Sequence, residues 1–118
     1  MDEQIEKNLE DTIDLMKKDD IALQIIEDLT TVTTSKGLLF SDLIVAIAGK
    51  HINDLDLPYK MGVVLDYLYN CHAIDMKNNS PRVYSLTRIG AEAYHIFKNL
   101  ETIMKLERNE KYIRSVAN

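Results

Sequence analysis

Apolar positions in this chain recur at helical spacing, then in two short strand-like runs, then at helical spacing again. Ile5, Leu9, Ile13 and Met16 line one side of a predicted helix over about residues 3–18, whose other sides are acidic. So narrow a stripe suits an arm lying on something rather than a core helix. Ala22, Ile25, Ile26 and Leu29 predict a second helix over about residues 20–31, with Asp20 as its N-cap. The β-branched run from Thr30 to Thr34 weakens that helix, and Lys36-Gly37 makes a turn. A third helix is expected from an N-cap at Ser41 to about Ala48, with Leu43, Ile44 and Ile47 apolar and Gly49 closing it in the left-handed conformation. After a polar connection, residues 50–56, a fourth helix opens near Leu57 with Pro58 in its first turn. Met61, Val64, Leu65 and Leu68 form its inward face. Tyr59, Lys60, Val63, Asp66, Tyr67 and Asn70 fall mostly outward.

Two strands are expected at about residues 73–77 and 82–87, joined by the turn-formers Asn78, Asn79, Ser80 and Pro81. Thr87 then caps a last helix that runs to about Ser115. Ile89, Ala93, Ile96, Leu100 and Ile103 alternate by four and three, as a helix–helix seam requires, and Phe97 and Met104 widen it. After Leu106 the seam positions are Glu107 and Glu110, so that end is expected to be exposed or frayed. The helix is longer than one small core can cover.

The segment from Leu65 to Gly90 has a recognisable order: a helix ends, two strands pair, and a new helix begins. It resembles the winged helix-turn-helix of transcription regulators such as the MarR and PadR families. Those often carry L-x-x-L-x-x-x-G-x-I at the end of the recognition helix, followed by a hairpin and Y-x-L-T-x-x-G. Leu65, Leu68, Ile74, Tyr84, Leu86, Thr87 and Gly90 fit, while His72 stands where the family usually has glycine. Histidine tolerates a positive φ better than most residues, so His72 is expected to fill that structural place rather than bind a ligand. The resemblance covers about two-thirds of the chain.

It implies one domain, mainly α with a small β-hairpin: a helical arm at 1–19, a winged helix-turn-helix core at 20–87 and a dimerisation helix at 88–118. The fourth helix would be the recognition helix and the hairpin the wing. Candidate contacts to double-stranded DNA are then Tyr59, Lys60, Val63 and Tyr67 on the helix, Lys77, Asn79 and Arg82 on the wing, and Arg88 at the base of the last helix. The unpartnered stripes on the two flanking helices call for a cover, and a homodimer through Ile5, Leu9, Ile13, Ile96, Leu100 and Ile103 is the least elaborate one. The expected function is a dimeric, sequence-specific DNA-binding protein, either a transcriptional repressor acting by occlusion or a plasmid or phage partition adaptor. Winged helices also dock proteins, so a subunit of a larger assembly without direct DNA readout is the alternative.

Composition narrows this. The chain has 118 residues, 46% of them hydrophobic, enough for a single globular core without staples. The lone Cys71 cannot make an intramolecular disulfide, no leader opens the sequence, and no apolar run is long enough for a bilayer; a reducing, cytoplasmic location is expected. The formal net charge of −5 counts against nonspecific nucleic-acid binding. Its distribution is uneven. Residues 1–20 carry eight carboxylates against three lysines, and residues 75–118 carry eight lysines and arginines against five carboxylates. That asymmetry suits a bound polyanion, although a solvated helix face also accounts for the charges at 98–114.

The recognition helix is poor in base readers, with one lysine and an unhelpful Asp66 where arginine, asparagine or glutamine is typical. Tyr59, Tyr67 and Tyr69 either form an aromatic contact surface or, as is usual at this spacing, bury their rings at the core edge with the hydroxyl wet. Cys71 and His72 adjoin, but His51 and His95 are remote in sequence, so no metal site is expected. Cys71 reads instead as the last buried residue of its helix. The four glycines are scattered, no phosphate loop is present, and no local motif supplies a nucleophile with its base. Neither an enzyme nor a cofactor is expected.

Overall fold

The computed structural model describes residues 2–32, 36–51, 53–77 and 81–117, with side chains as far as Arg108. The order is α1 (Glu3–Lys18), α2 (Asp20–Thr30), β1 (Leu38–Leu39), α3 (Phe40–Ala48), α4 (Leu57–Asn70), β2 (Ile74–Lys77), β3 (Val83–Leu86) and α5 (Arg88–Ala117). The architecture is mainly helical with a small antiparallel sheet, as the sequence leads one to expect. Parts of three expected features, the Thr-rich run, the polar connection and the wing turn, lie outside the described residues at 33–35, 52 and 78–80.

The sheet has one strand more than the hairpin. Its order is β1-β3-β2, with Leu39 opposite Val83 and Lys77 opposite Val83 on the other side. A two-residue strand is too short to show a period of two, which is why the pattern missed it. Gly37, with φ +65, turns the chain into β1, and a side chain there would overlap the Tyr84 carbonyl oxygen.

Three helix ends differ from expectation. Asp19, not Asp20, caps α2: its carboxylate accepts from the N–H groups of Ile21 and Ala22 at 2.8 and 3.3 Å. Ser41 lies inside α3, which starts one residue earlier, and the Asp42 carboxylate accepts the Leu39 N–H at 3.0 Å in place of a Ser41 cap. Gly49 is right-handed, with φ −60 and ψ −30, because the chain continues in turns from Lys50 to Ile47 and from His51 to Ala48.

The core gathers Ala22, Ile25, Ile26 and Leu29 of α2, Leu43 and Ile47 of α3, Met61, Val64, Leu65 and Leu68 of α4, and Ile74, Tyr84 and Leu86 of the sheet. At about 25 cal/mol per Å² of apolar surface removed from water, this cluster is the main stabilising element. The α1 arm does lie on something, namely α5 of the same chain. Ile5 and Leu9 share a groove with Arg88 and Ile89, and Lys17 shares one with Phe97 and Leu100, so the two helices run parallel. The buried side of α1 includes Asn8 and Thr12, which a count of apolar positions passes over. Asn8 accepts from Gln4 Nε2 at 3.0 Å, and the Thr12 hydroxyl donates to the Asn8 carbonyl at 2.7 Å, so both enter the packing with hydrogen bonds made.

The seam on α5 is used unevenly. Ala93 is buried, and Ile89, Ile96 and Phe97 are half-buried. Leu100, Ile103, Met104 and Leu106 are exposed. With Leu9 and Ile13 packed against the chain's own core, the exposed large apolar side chains on the two flanking helices are Leu100, Ile103, Met104 and Leu106 on the later part of α5 and Ile5 on α1.

Candidate nucleic-acid interface

The joint between α4 and the wing is made of the residues that carry the sequence resemblance. Cys71 ends α4 and is buried, and burial pushes its thiol pKa up. His72 follows with φ +61, the left-handed residue expected at this place. The Ala73 N–H then closes on the Leu68 carbonyl at 2.9 Å. The Thr87 hydroxyl donates to the His72 carbonyl and accepts the Gly90 N–H at 3.1 Å, while the Thr87 N–H donates to the Ala73 carbonyl at 3.1 Å. Gly90 is required by closeness: a Cβ there would overlap the Ala73 carbonyl oxygen and lie 2.6 Å from Leu86 Cδ1. Thr87 and Gly90 thus lock the start of α5 to the end of α4, and so fix the direction in which the β2–β3 hairpin leaves.

Because the core takes only the inward face of α4, the outward face is free. Tyr59 is 76% exposed and Val63 52%. Tyr59 therefore departs from the usual edge-of-core tyrosine. Tyr67 and Tyr69 are about half exposed. Burial, with Cys71 and the α1 carboxylates Asp11 and Asp14 nearby, raises the Tyr67 pKa. The C-terminal part of the face therefore borders acidic side chains of α1.

Lys60 is in its expected place but is not free. Its Nζ donates to Asp54 Oδ2 at 2.7 Å. The hydrogen bond from Lys60 is the chief cause holding the Asp54 carboxyl below its ordinary pKa, and the same bond raises that of Lys60. Asp54 was not singled out by the sequence. It lies in the connection before α4, where spacing by six residues has no helical meaning.

The other candidates separate into two places. Lys77 and Arg82 are exposed on either side of the wing turn, brought together by the pairing of Lys77 with Val83. Asn79, expected at the tip, lies outside the described residues. Arg88 is exposed but stands beside Ile5 and Leu9 of α1, at the base of α5 and away from the turn. On α5, Lys98 faces Glu27 and Glu101 at 3.6 Å, and Lys105 faces Glu101 at 3.7 Å. These exposed pairs account for part of the positive charge of the C-terminal third without a polyanion.

Among the described residues no three histidine, cysteine, aspartate or glutamate side chains converge as metal ligands. No described helix is long and apolar enough to cross a membrane. Comparison of the chain with protein-family models, with curated proteins and with solved structures finds no match.

Proposed function

We propose that this chain binds double-stranded DNA through the outward face of α4 and the wing, as a homodimer, and represses or partitions by occupying its site. The observation that carries the reading is the free outward face of α4, with the exposed cations Lys77 and Arg82 on the adjoining hairpin. Wing cations serve as phosphate grips or reach a narrow minor groove, while Tyr59 and Val63 offer apolar contact to thymine methyl groups. The second copy joins through Leu100, Ile103, Met104 and Leu106 of α5. These side chains are 40–62% exposed, so covering each gains roughly half of the 1.5–3 kcal/mol of a full burial, and two copies of the patch supply the driving force of the proposed pair. Binding, not catalysis, is the proposed activity, in the cytoplasm.

Affinity selection on random duplex DNA tests this. The expected outcome is an enriched inverted or direct repeat, one half-site per protomer. A second reading has its own support. Leu55, just before α4, is 94% exposed, Tyr59 and Val63 on the helix are exposed too, and the lysine of that stretch is already paired. Apolar surface with a carboxylate fringe suits a basic protein segment. No enrichment from the random pool, with tight binding of a lysine- and arginine-rich amphipathic peptide, would replace the DNA reading by this one.

A further inference from the structure

The outward face of α4 holds one lysine, and the fold supplies that lysine with a carboxylate before any partner arrives. Asp54 is positioned by the backbone: its Oδ1 accepts the Asp56 N–H at 3.1 Å, which leaves Oδ2 for Lys60 Nζ at 2.7 Å. Asp19 and Asp56 also act on Lys60 through space, and Asp19, His51 and Asp54 line one cleft with it. The lysine at the start of the candidate recognition helix is half exposed, pairs with Asp54, and has the carboxylates of Asp19 and Asp56 as further neighbours, with Lys18 on the same cleft.

We infer that Asp54 is a selectivity residue of the DNA-binding face, holding Lys60 so that it adds nothing to sequence-blind attraction for phosphates. This rests on the DNA reading above. Nonspecific affinity comes from cations that neutralise phosphates and release counterions, each adding about 0.9 to the slope of log affinity against log salt. A lysine already neutralised within the protein releases no counterion, and an approaching phosphate also meets the charge of Asp54. Contacts from Tyr59 and Val63 to base edges do not pass through that charge. Lowering the sequence-blind term while leaving base contacts in place widens the gap between the proper site and all others, the quantity that matters among many competing sites. Lys77 and Arg82 remain to set register on the backbone.

The test compares wild type, Asp54→Asn, Lys60→Ala and the double variant on a selected duplex and on a scrambled duplex of the same length, between 50 and 200 mM salt. Asparagine keeps an oxygen for the Asp56 N–H, so the turn survives, and thermal melts verify it. Asp54→Asn should bind the scrambled duplex more tightly at low salt. Its slope should steepen by about 0.9 per protomer, an extra loss of about 3.5-fold per protomer across that salt range. The ratio of selected to scrambled affinity should fall. In the Lys60→Ala background the same change should do nothing. Unchanged slope and ratio in Asp54→Asn, with wild type still selecting its site, would overturn this inference alone. So would a gain that persists without Lys60, because Asp54 would then act only by repelling phosphate. A wild type that binds neither duplex would remove the DNA reading and this inference with it.

Discussion

The C-terminal end of α4 is locked to the start of α5 by backbone contacts; its N-terminal end is anchored by buried Leu57 and Met61 and carries an ion pair on its surface. The first end joins Leu68, His72, Ala73, Thr87 and Gly90 through hydrogen bonds and one close approach that only glycine permits. The second has Pro58 in its first turn, no side-chain cap from Asp56, an exposed Leu55 and the pair between Asp54 and Lys60. Backbone joints are insensitive to salt and set geometry. An exposed ion pair contributes little to stability, yet it alters what the face presents to a partner. On the proposed reading, the joint that sets geometry and the ion pair that tunes the contact face lie at opposite ends of one helix, and substitutions at the two ends should separate them.

The largest effect is expected at the joint. Gly90→Ala adds a Cβ into the Ala73 carbonyl, and the backbone must move. Even after the gain in helix propensity, a loss of about 2–3 kcal/mol is expected, read as a lower denaturant midpoint. An unchanged midpoint would mean that the two helices are not locked there. On the wing, Arg82→Ala should leave stability alone and flatten the salt slope of DNA binding by about 0.9 per protomer. A fall in stability, with no change in slope, would place Arg82 in the scaffold instead. The smallest effect belongs to His72. Replacing it with glycine relieves a left-handed backbone that costs a non-glycine residue roughly 1 kcal/mol, partly offset by the freedom glycine gains when unfolded. His72→Gly should therefore raise stability by less than about 1 kcal/mol and leave DNA affinity unchanged. Lost affinity with an intact fold would give the imidazole a role that its position does not suggest.

The same contrast explains what could be read from the sequence. The joint was legible because its parts are close in sequence or fixed by type: a left-handed place at His72, a cap at Thr87, a glycine three residues on. The inward face of α4 was legible from its period, and all of Met61, Val64, Leu65 and Leu68 are buried. What escaped is held by contacts without a period. β1 is two residues long. Asn8 and Thr12 are buried polar groups whose cost is met by hydrogen bonds that composition does not show. Helical spacing puts Lys60 on the outward side of α4, where it is exposed, but its pairing with Asp54 depends on how the connection folds back. Arg88 fell among the candidate contacts because it follows the wing in sequence, whereas the start of α5 carries it to α1.

Duplex DNA is proposed to meet the outward face of α4 and the β2–β3 hairpin. The most direct measurement is a two-dimensional amide NMR titration of the wild-type protein with its selected duplex, at a salt concentration where binding saturates. Changes should concentrate at Tyr59 to Val63 on α4 and at Lys77 and Arg82 to Tyr84 on the wing, with the Ile25, Ile26 and Leu29 amides of α2 nearly still. A saturated titration that leaves α4 and the wing unmoved, or confines its changes to α1 and α5, would contradict the account.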